Sequence, residues 1–209
     1  MERGLGRIVV LNGAPRAGKS SIVAAIQDSF DGLWLNLGQD HYMRMLPQQY
    51  HPGTGLRPGG ERPDLEPLVA RLYRALYRSL AEHSRLGINV VADMAHHDHY
   101  SQPLGILPAC ARLLEGLPAW LVGVHCPLAA ILERRQATGY LSRQGVADSV
   151  PEPVRRWQEA VHRPGIYDLE VDTSLLTAEE CARAIWERIE HGPPPEAFAR
   201  LVAMEAGEG

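Results

Sequence analysis

Three cysteines in 209 residues, Cys110, Cys126 and Cys181, are too few, too widely spaced and odd in number to form a disulfide framework or a metal knuckle. They are expected to be reduced thiols of a cytoplasmic protein. No apolar run approaches the roughly 18 residues a membrane span requires. The stretch from Met1 to Arg7 runs almost directly into an apolar strand, so no signal peptide is expected. A basic excess is missing too: the net charge is -4, so the overall balance does not favour nucleic acid. Internal repeats are absent. What remains is an ordinary globular composition, 45% hydrophobic and 22% charged, in a chain long enough for one α/β domain.

The pattern that is present is an alternation of short apolar runs with amphipathic stretches. Strands are expected at 8–11, 33–37, 88–92 and 119–124, with a weaker one at 169–171. Between them, Ile22, Val23, Ile26 and Phe30 fall at helical spacing. After Pro63, the residues Leu65, Leu68, Val69, Leu72, Leu76 and Leu80 trace one face of a long helix. Arg71, Arg74, Arg78 and Arg85 occupy roughly its opposite face, which reads as a solvated surface before it reads as an anion site. Further helices are expected near 104–115, 127–137, 151–162 and 177–190. Such alternation predicts a mainly parallel five-stranded sheet covered by helices on both faces. Residues 41–64, rich in Gly and Pro and with little periodicity, form too long a connection to be routine and are expected to be a functional insertion. A domain over 1–192 then gives way at Pro193-Pro194-Pro195 to a hinged tail over 193–209, whose residues 196–204 are expected to be a short docking helix.

The strongest local signal is Gly13-Ala14-Pro15-Arg16-Ala17-Gly18-Lys19-Ser20, between the first strand and the first helix. A loop wrapped around phosphates needs inward-pointing N–H groups, and Gly13 and Gly18 permit that geometry. The helix that follows aims its positive end at the same anion. Lys19 can reach the β- and γ-phosphates, and the Ser20 hydroxyl can ligate Mg²⁺. The loop, Gly13 to Ser20 with Ser21, is therefore expected to bind ATP, and the fold to be a P-loop NTPase of nucleoside-monophosphate-kinase-like type with a small lid.

Two carboxylates lie at the carboxyl ends of strands, where ligands bind in open α/β sheets. Asp40, opening into the long insertion, is the expected base toward an acceptor hydroxyl. Asp93, closing the third strand, is the expected metal-organising residue. Their roles could be exchanged, and helix capping is the plain alternative for each. Residues 133–147, from Glu133-Arg134-Arg135 through Gly139 and Arg143 to Gly145, fit a closing lid. Arg135 is expected to act in catalysis and Arg143 to hold the nucleotide. His96-His97-Asp98-His99 lacks a framework for metal ligation and is expected to be a polar loop lining the acceptor pocket.

With these residues in view, the sequence resembles the chloramphenicol phosphotransferase family of P-loop kinases over most of 7–190. The likeness is carried by Ile8 to Ser20, by Gly38-Gln39-Asp40 and Asp93, in part by Glu133, Arg135, Gly145 and Ala147, and by Val161-His162 followed by Tyr167-Asp168-Leu169-Glu170-Val171-Asp172-Thr173. The resemblance implies direct ATP-dependent phosphorylation of a hydroxyl on a small molecule, with Asp40 as the base. The leading reading is a small-molecule hydroxyl kinase, with an antibiotic such as chloramphenicol among the candidate acceptors. A nucleoside, nucleotide-sugar or sugar kinase is the alternative, and a nucleotide-dependent regulatory module the third reading. Neither a nucleic acid nor a membrane partner is expected, and a homo-oligomer is left open.

Overall fold

The computed structural model describes residues 4–137 and 152–207. Its strands are β1 (Ile8–Asn12), β2 (Trp34–Asn36), β3 (Asn89–Met94), β4 (Ala119–His125) and β5 (Leu169–Asp172). All pair in parallel, in the order β2-β3-β1-β4-β5. The helices are α1 (Lys19–Ser29), α2 (Gln39–Arg44), α3 (Glu66–Arg85), α4 (Ile106–Ala111), α5 (Leu128–Ala137), α6 (Glu152–Ala160), α7 (Ala178–His191) and α8 (Ala197–Gly207).

β1 is buried throughout because both of its faces are covered, which is why it reads as a continuous apolar run rather than an alternating one. Val9 and Leu11 join one core layer with residues of α1, α6 and α7. Ile8 and Val10 join the other, beneath α3, α4 and α8. The register sets Leu11 between Asp93 and Val122, so the carboxyl end of β3 is fixed against the central strand.

Several expectations need correction. The insertion is not irregular from its start: Gln39–Arg44 is helical, and short 3-10 turns follow at Gln48–Tyr50 and Gly53–Leu56. Six residues are too few for a period to be read, and the helix is held by burial of Gln39 and Met43. The buried stripe of α3 runs through Val69, Tyr73, Leu76, Tyr77 and Leu80, while Leu68 and Leu72 are only half-buried. The tyrosines fit inside because their hydroxyls find partners, Tyr73 on Gln39 Oε1 at 2.7 Å and Tyr77 on His96 Nε2 at 2.7 Å. The second strand is shorter than expected, and Leu33 is exposed outside it. The region expected as one helix at 104–115 is α4 plus a 3-10 turn at Arg112–Leu114.

After the prolines, α8 folds back on this chain, placing Ala197, Phe198 and Leu201 in the core. Asp168 directs this return. Its carboxylate accepts from Glu196 N at 2.7 Å and Ala197 N at 3.1 Å at the start of α8, and from Leu121 N at 2.9 Å in β4. Among the described residues, no helix is long and apolar enough to cross a membrane.

Candidate active site

The strands end on a cleft of about 970 Å³ whose lining includes Lys19, Ser20, Asp40, Asp93, Arg134 and Arg135. Its floor is the turn from Gly13 to Gly18. Gly18 has φ 93 and Arg16 has φ 73, two left-handed positions that make the chain wrap back on itself before α1 begins. Pro15, Arg16, Gly18, Lys19, Ser20 and Ser21 all face the cleft, whereas the side chains of Ala14 and Ala17 are buried beneath the loop. The Gly13 amide donates to Met94 O at 3.3 Å, fastening the loop to β3.

Lys19 is the only lysine of the chain. Its Nζ donates to Gly13 O at 2.7 Å and Ala14 O at 2.9 Å, so the ammonium lies folded over the loop it would serve. Burial lowers its pKa to about 8, with Asp93 and then Asp40 opposing the shift. The folded chain therefore releases this proton earlier than the unfolded one as pH rises. The positive charge that Lys19 could offer an anion fades above about pH 8, whereas the stability contribution of this group rises from there toward the ordinary lysine value of 10.5. Because the chain has a single lysine, acylation by a small reagent followed by peptide mass mapping reads that titration directly. Half-maximal reactivity is expected at about pH 8. A midpoint at the ordinary lysine value would contradict the burial argument.

At the first turn of α1, Ser20 Oγ donates to Asp93 Oδ2 at 2.8 Å. Asp93 reaches this position through a gap left by Gly38, where a Cβ would overlap the carboxylate. Gly38 also accepts from Tyr42 N at 3.0 Å to open α2, which sets Asp40 on the cleft wall. The neighbouring Gln39 is turned inward, its Oε1 accepting from Tyr73 OH at 2.7 Å and Ala95 N at 3.2 Å. Asp40 and Asp93 thus share one cleft and are held by different elements.

Arg134 and Arg135 lie three and four residues beyond the buried Ile131 of α5, on the same helix face, and both reach the cleft. Arg134 takes a bracing role that the sequence reading did not assign. It donates to Thr173 O at 2.7 Å, Thr173 Oγ1 at 3.1 Å and Arg16 O at 3.3 Å. Thr173 Oγ1 in turn donates to Ala17 O at 2.7 Å, so α5, the end of β5 and the phosphate loop are joined. Arg143 and the rest of the expected lid beyond Ala137 lie outside the described residues.

One further group was missed. Asn12 is 1% exposed, and its Oδ1 accepts from His96 N at 2.7 Å. Its Nδ2 donates to Val161 O at 2.8 Å and Tyr167 OH at 3.0 Å, tying three segments together below the cleft. His96 and His97 do not line the pocket as expected; both are buried behind it. His97 Nδ1 accepts from His99 N at 3.1 Å, which leaves Nε2–H to donate to Leu56 O at 3.0 Å. Burial lowers the pKa of His97 to about 4, keeping that tautomer neutral, and its ring packs edge-on against Trp157 at 5.1 Å. His97 buttresses the wall made by Leu56 and Trp157.

A profile described as chloramphenicol phosphotransferase-like protein matches residues 6–190. Two proteins from two strains of Mycobacterium tuberculosis, whose names propose an O-phosphotransferase, are each 30% identical over 210 residues, covering 94% of this chain and 88% of theirs. Among solved structures, Mycobacterium tuberculosis APS kinase in complex with AMPPNP and APS aligns with a TM-score of 0.60 at 18% identity, over 90% of this chain and 99% of that one. Shikimate kinase from Acinetobacter baumannii in complex with shikimate aligns with a TM-score of 0.55 at 13% identity, over 90% and 94%. These likenesses establish the P-loop kinase fold.

Proposed function

Because this chain belongs to the chloramphenicol phosphotransferase-like family, we propose that it transfers the γ-phosphoryl group of ATP to a hydroxyl of a small molecule. The observation that carries this reading is convergence: Lys19, the Ser20–Asp93 pair and Asp40 open into one cleft at the carboxyl edge of the sheet. The loop amides and the start of α1 would hold the phosphates, with Lys19 leaving its loop carbonyls to meet the β- and γ-oxygens. Leu176, Thr177 and Ala178, also on the cleft, suit the nucleoside end.

Ser20 and Asp93 offer oxygen donors of the kind Mg²⁺ takes together with phosphates and water, and the gap at Gly38 keeps Asp93 in that place. A bound Mg²⁺ would neutralise phosphate charge. In the transfer itself, the acceptor oxygen forms a bond to the γ-phosphorus as the bond to the β,γ-bridging oxygen breaks. The hydroxyl proton passes to the Asp40 carboxylate, and ADP leaves. Arg135 stands at the same cleft to offset charge on the transferring group.

Chloramphenicol is the first acceptor to test, beside sugars, nucleosides and nucleotide sugars. The reading is tested by ADP release from Mg²⁺-ATP with and without each compound. Release stimulated at least tenfold by one class is the expected outcome. ATP binding with no stimulation by any hydroxyl compound would favour a nucleotide-dependent regulatory module instead.

The gap at Gly38 makes its own prediction. Gly38→Ala is expected to push the Asp93 carboxylate aside and to raise the Mg²⁺ concentration needed for half-maximal activity by about tenfold or more. The backbone there, φ -76 and ψ 166, accepts alanine, so the fold should survive. A magnesium titration unchanged by the substitution would remove Asp93 from the metal site.

A further inference from the structure

Arg57 lines the cleft from the segment 41–64, which the sequence reading expects to hold the acceptor, and is given no part in the phosphate chemistry above. It is presented by a short arch with both ends pinned. Leu56 O accepts from His97 Nε2 at 3.0 Å, and Gly59 N donates to His99 O at 2.7 Å, with Pro58 buried between them. The carboxylates of the same segment are committed elsewhere. Glu61 pairs with Arg156 at 3.7 Å, Asp64 with Arg62 at 2.7 Å, and the buried Glu66 accepts from Ser101 N at 2.8 Å. Among the described residues Arg57 has no hydrogen-bonding or acidic partner, and it forms no ion pair with Asp40 across the cleft.

A half-buried guanidinium on a cleft that Trp157, Val154 and Leu56 also line is partly removed from water and, among the described residues, lacks a counter-charge. The group that satisfies it best is planar and anionic, taken two-pronged. We propose that Arg57 binds a carboxylate of the acceptor, so that the substrate class is a small hydroxylated organic acid whose body lies along Trp157 and whose hydroxyl faces Asp40. This rests on the phosphotransfer reading. One cation matches the single charge of a carboxylate better than the double charge of a phosphate monoester. Arg57 also balances the repulsion that an acidic acceptor would otherwise meet from Asp40.

The test is calorimetric binding with the phosphate loop filled by a non-hydrolysable ATP analogue. The probes are matched pairs of hydroxy acid and alcohol: gluconate and glucitol, glycerate and glycerol, mandelate and phenylethanediol. At least one acid is expected to bind, with its alcohol weaker by tenfold or more. Arg57→Gln should reduce acid binding to the level of the alcohol, roughly 100-fold at most, Arg57→Lys should restore part of it, and the affinity for the ATP analogue should stay within about twofold. The proposal is overturned if no acid binds, if acids and alcohols bind alike, or if Arg57→Gln leaves acid binding intact. It is also overturned if that variant weakens the nucleotide instead, which would make Arg57 a phosphate clamp. Acid binding through Arg57 with no phosphorylated product from ATP would uphold the carboxylate site and remove the phosphotransfer reading, so the two fail separately.

Discussion

Asp40→Asn is expected to lower phosphoryl transfer by roughly 10³-fold while ATP affinity stays within about twofold. Asparagine has the same shape as aspartate, and the position is fixed by its neighbours rather than by its own side chain. Gln39 is anchored on Tyr73 and Ala95, and the turn opens on Gly38 O. The amide can still orient an acceptor hydroxyl but cannot take its proton, so the chemical step is lost and nucleotide binding is spared. Single-turnover transfer measured beside an ATP titration separates these effects. Transfer within tenfold of wild type would remove Asp40 as the base. If Asp93→Asn instead abolished transfer with its magnesium titration unchanged, the two carboxylates would hold exchanged roles.

Lys19→Met produces the complementary signature. A loss of about 10²- to 10³-fold in kcat/KM for ATP is expected, because the substitution removes the cation aimed at the charge that develops on the phosphates. Stability should not fall. The ammonium is held below its ordinary pKa, meaning that burial of its charge works against folding, and methionine fills nearly the same space without that charge. An unchanged melting temperature together with weakened ATP binding is the expected pair of results. A variant that binds ATP normally would place the phosphates elsewhere.

The parts legible in the sequence are those encoded by local pattern. β1 with the glycine-flanked loop and α1 can be read from residues 8–30 alone, because burial on both faces demands an apolar run and phosphate wrapping demands glycine at fixed spacing. The five parallel strands follow from the same logic. Other features depend on partners distant in sequence. The stripe of α3 includes Tyr73 and Tyr77 only because Gln39 and His96 come to meet their hydroxyls. His96 and His97, which look like pocket residues, are drawn inward by Asn12, Tyr77 and Leu56. Arg134 and Arg135 are adjacent and chemically identical, and it is contact of Arg134 with Thr173 and Arg16 that distinguishes them. The pattern Gly38-Gln39-Asp40 directs attention to the aspartate, yet the structural reason for the glycine is Asp93, more than fifty residues away.

The proposed step is transfer of the γ-phosphoryl group from ATP to a small-molecule hydroxyl at Asp40. It is tested most directly by following γ-labelled ATP with wild-type protein and Asp40→Asn in the presence of pooled hydroxylated compounds, and identifying by mass what carries the label. Label on one class of small molecule with wild-type protein, and almost none with the variant, is the expected result. Label appearing only as inorganic phosphate, or on a small molecule equally with both proteins, would contradict it.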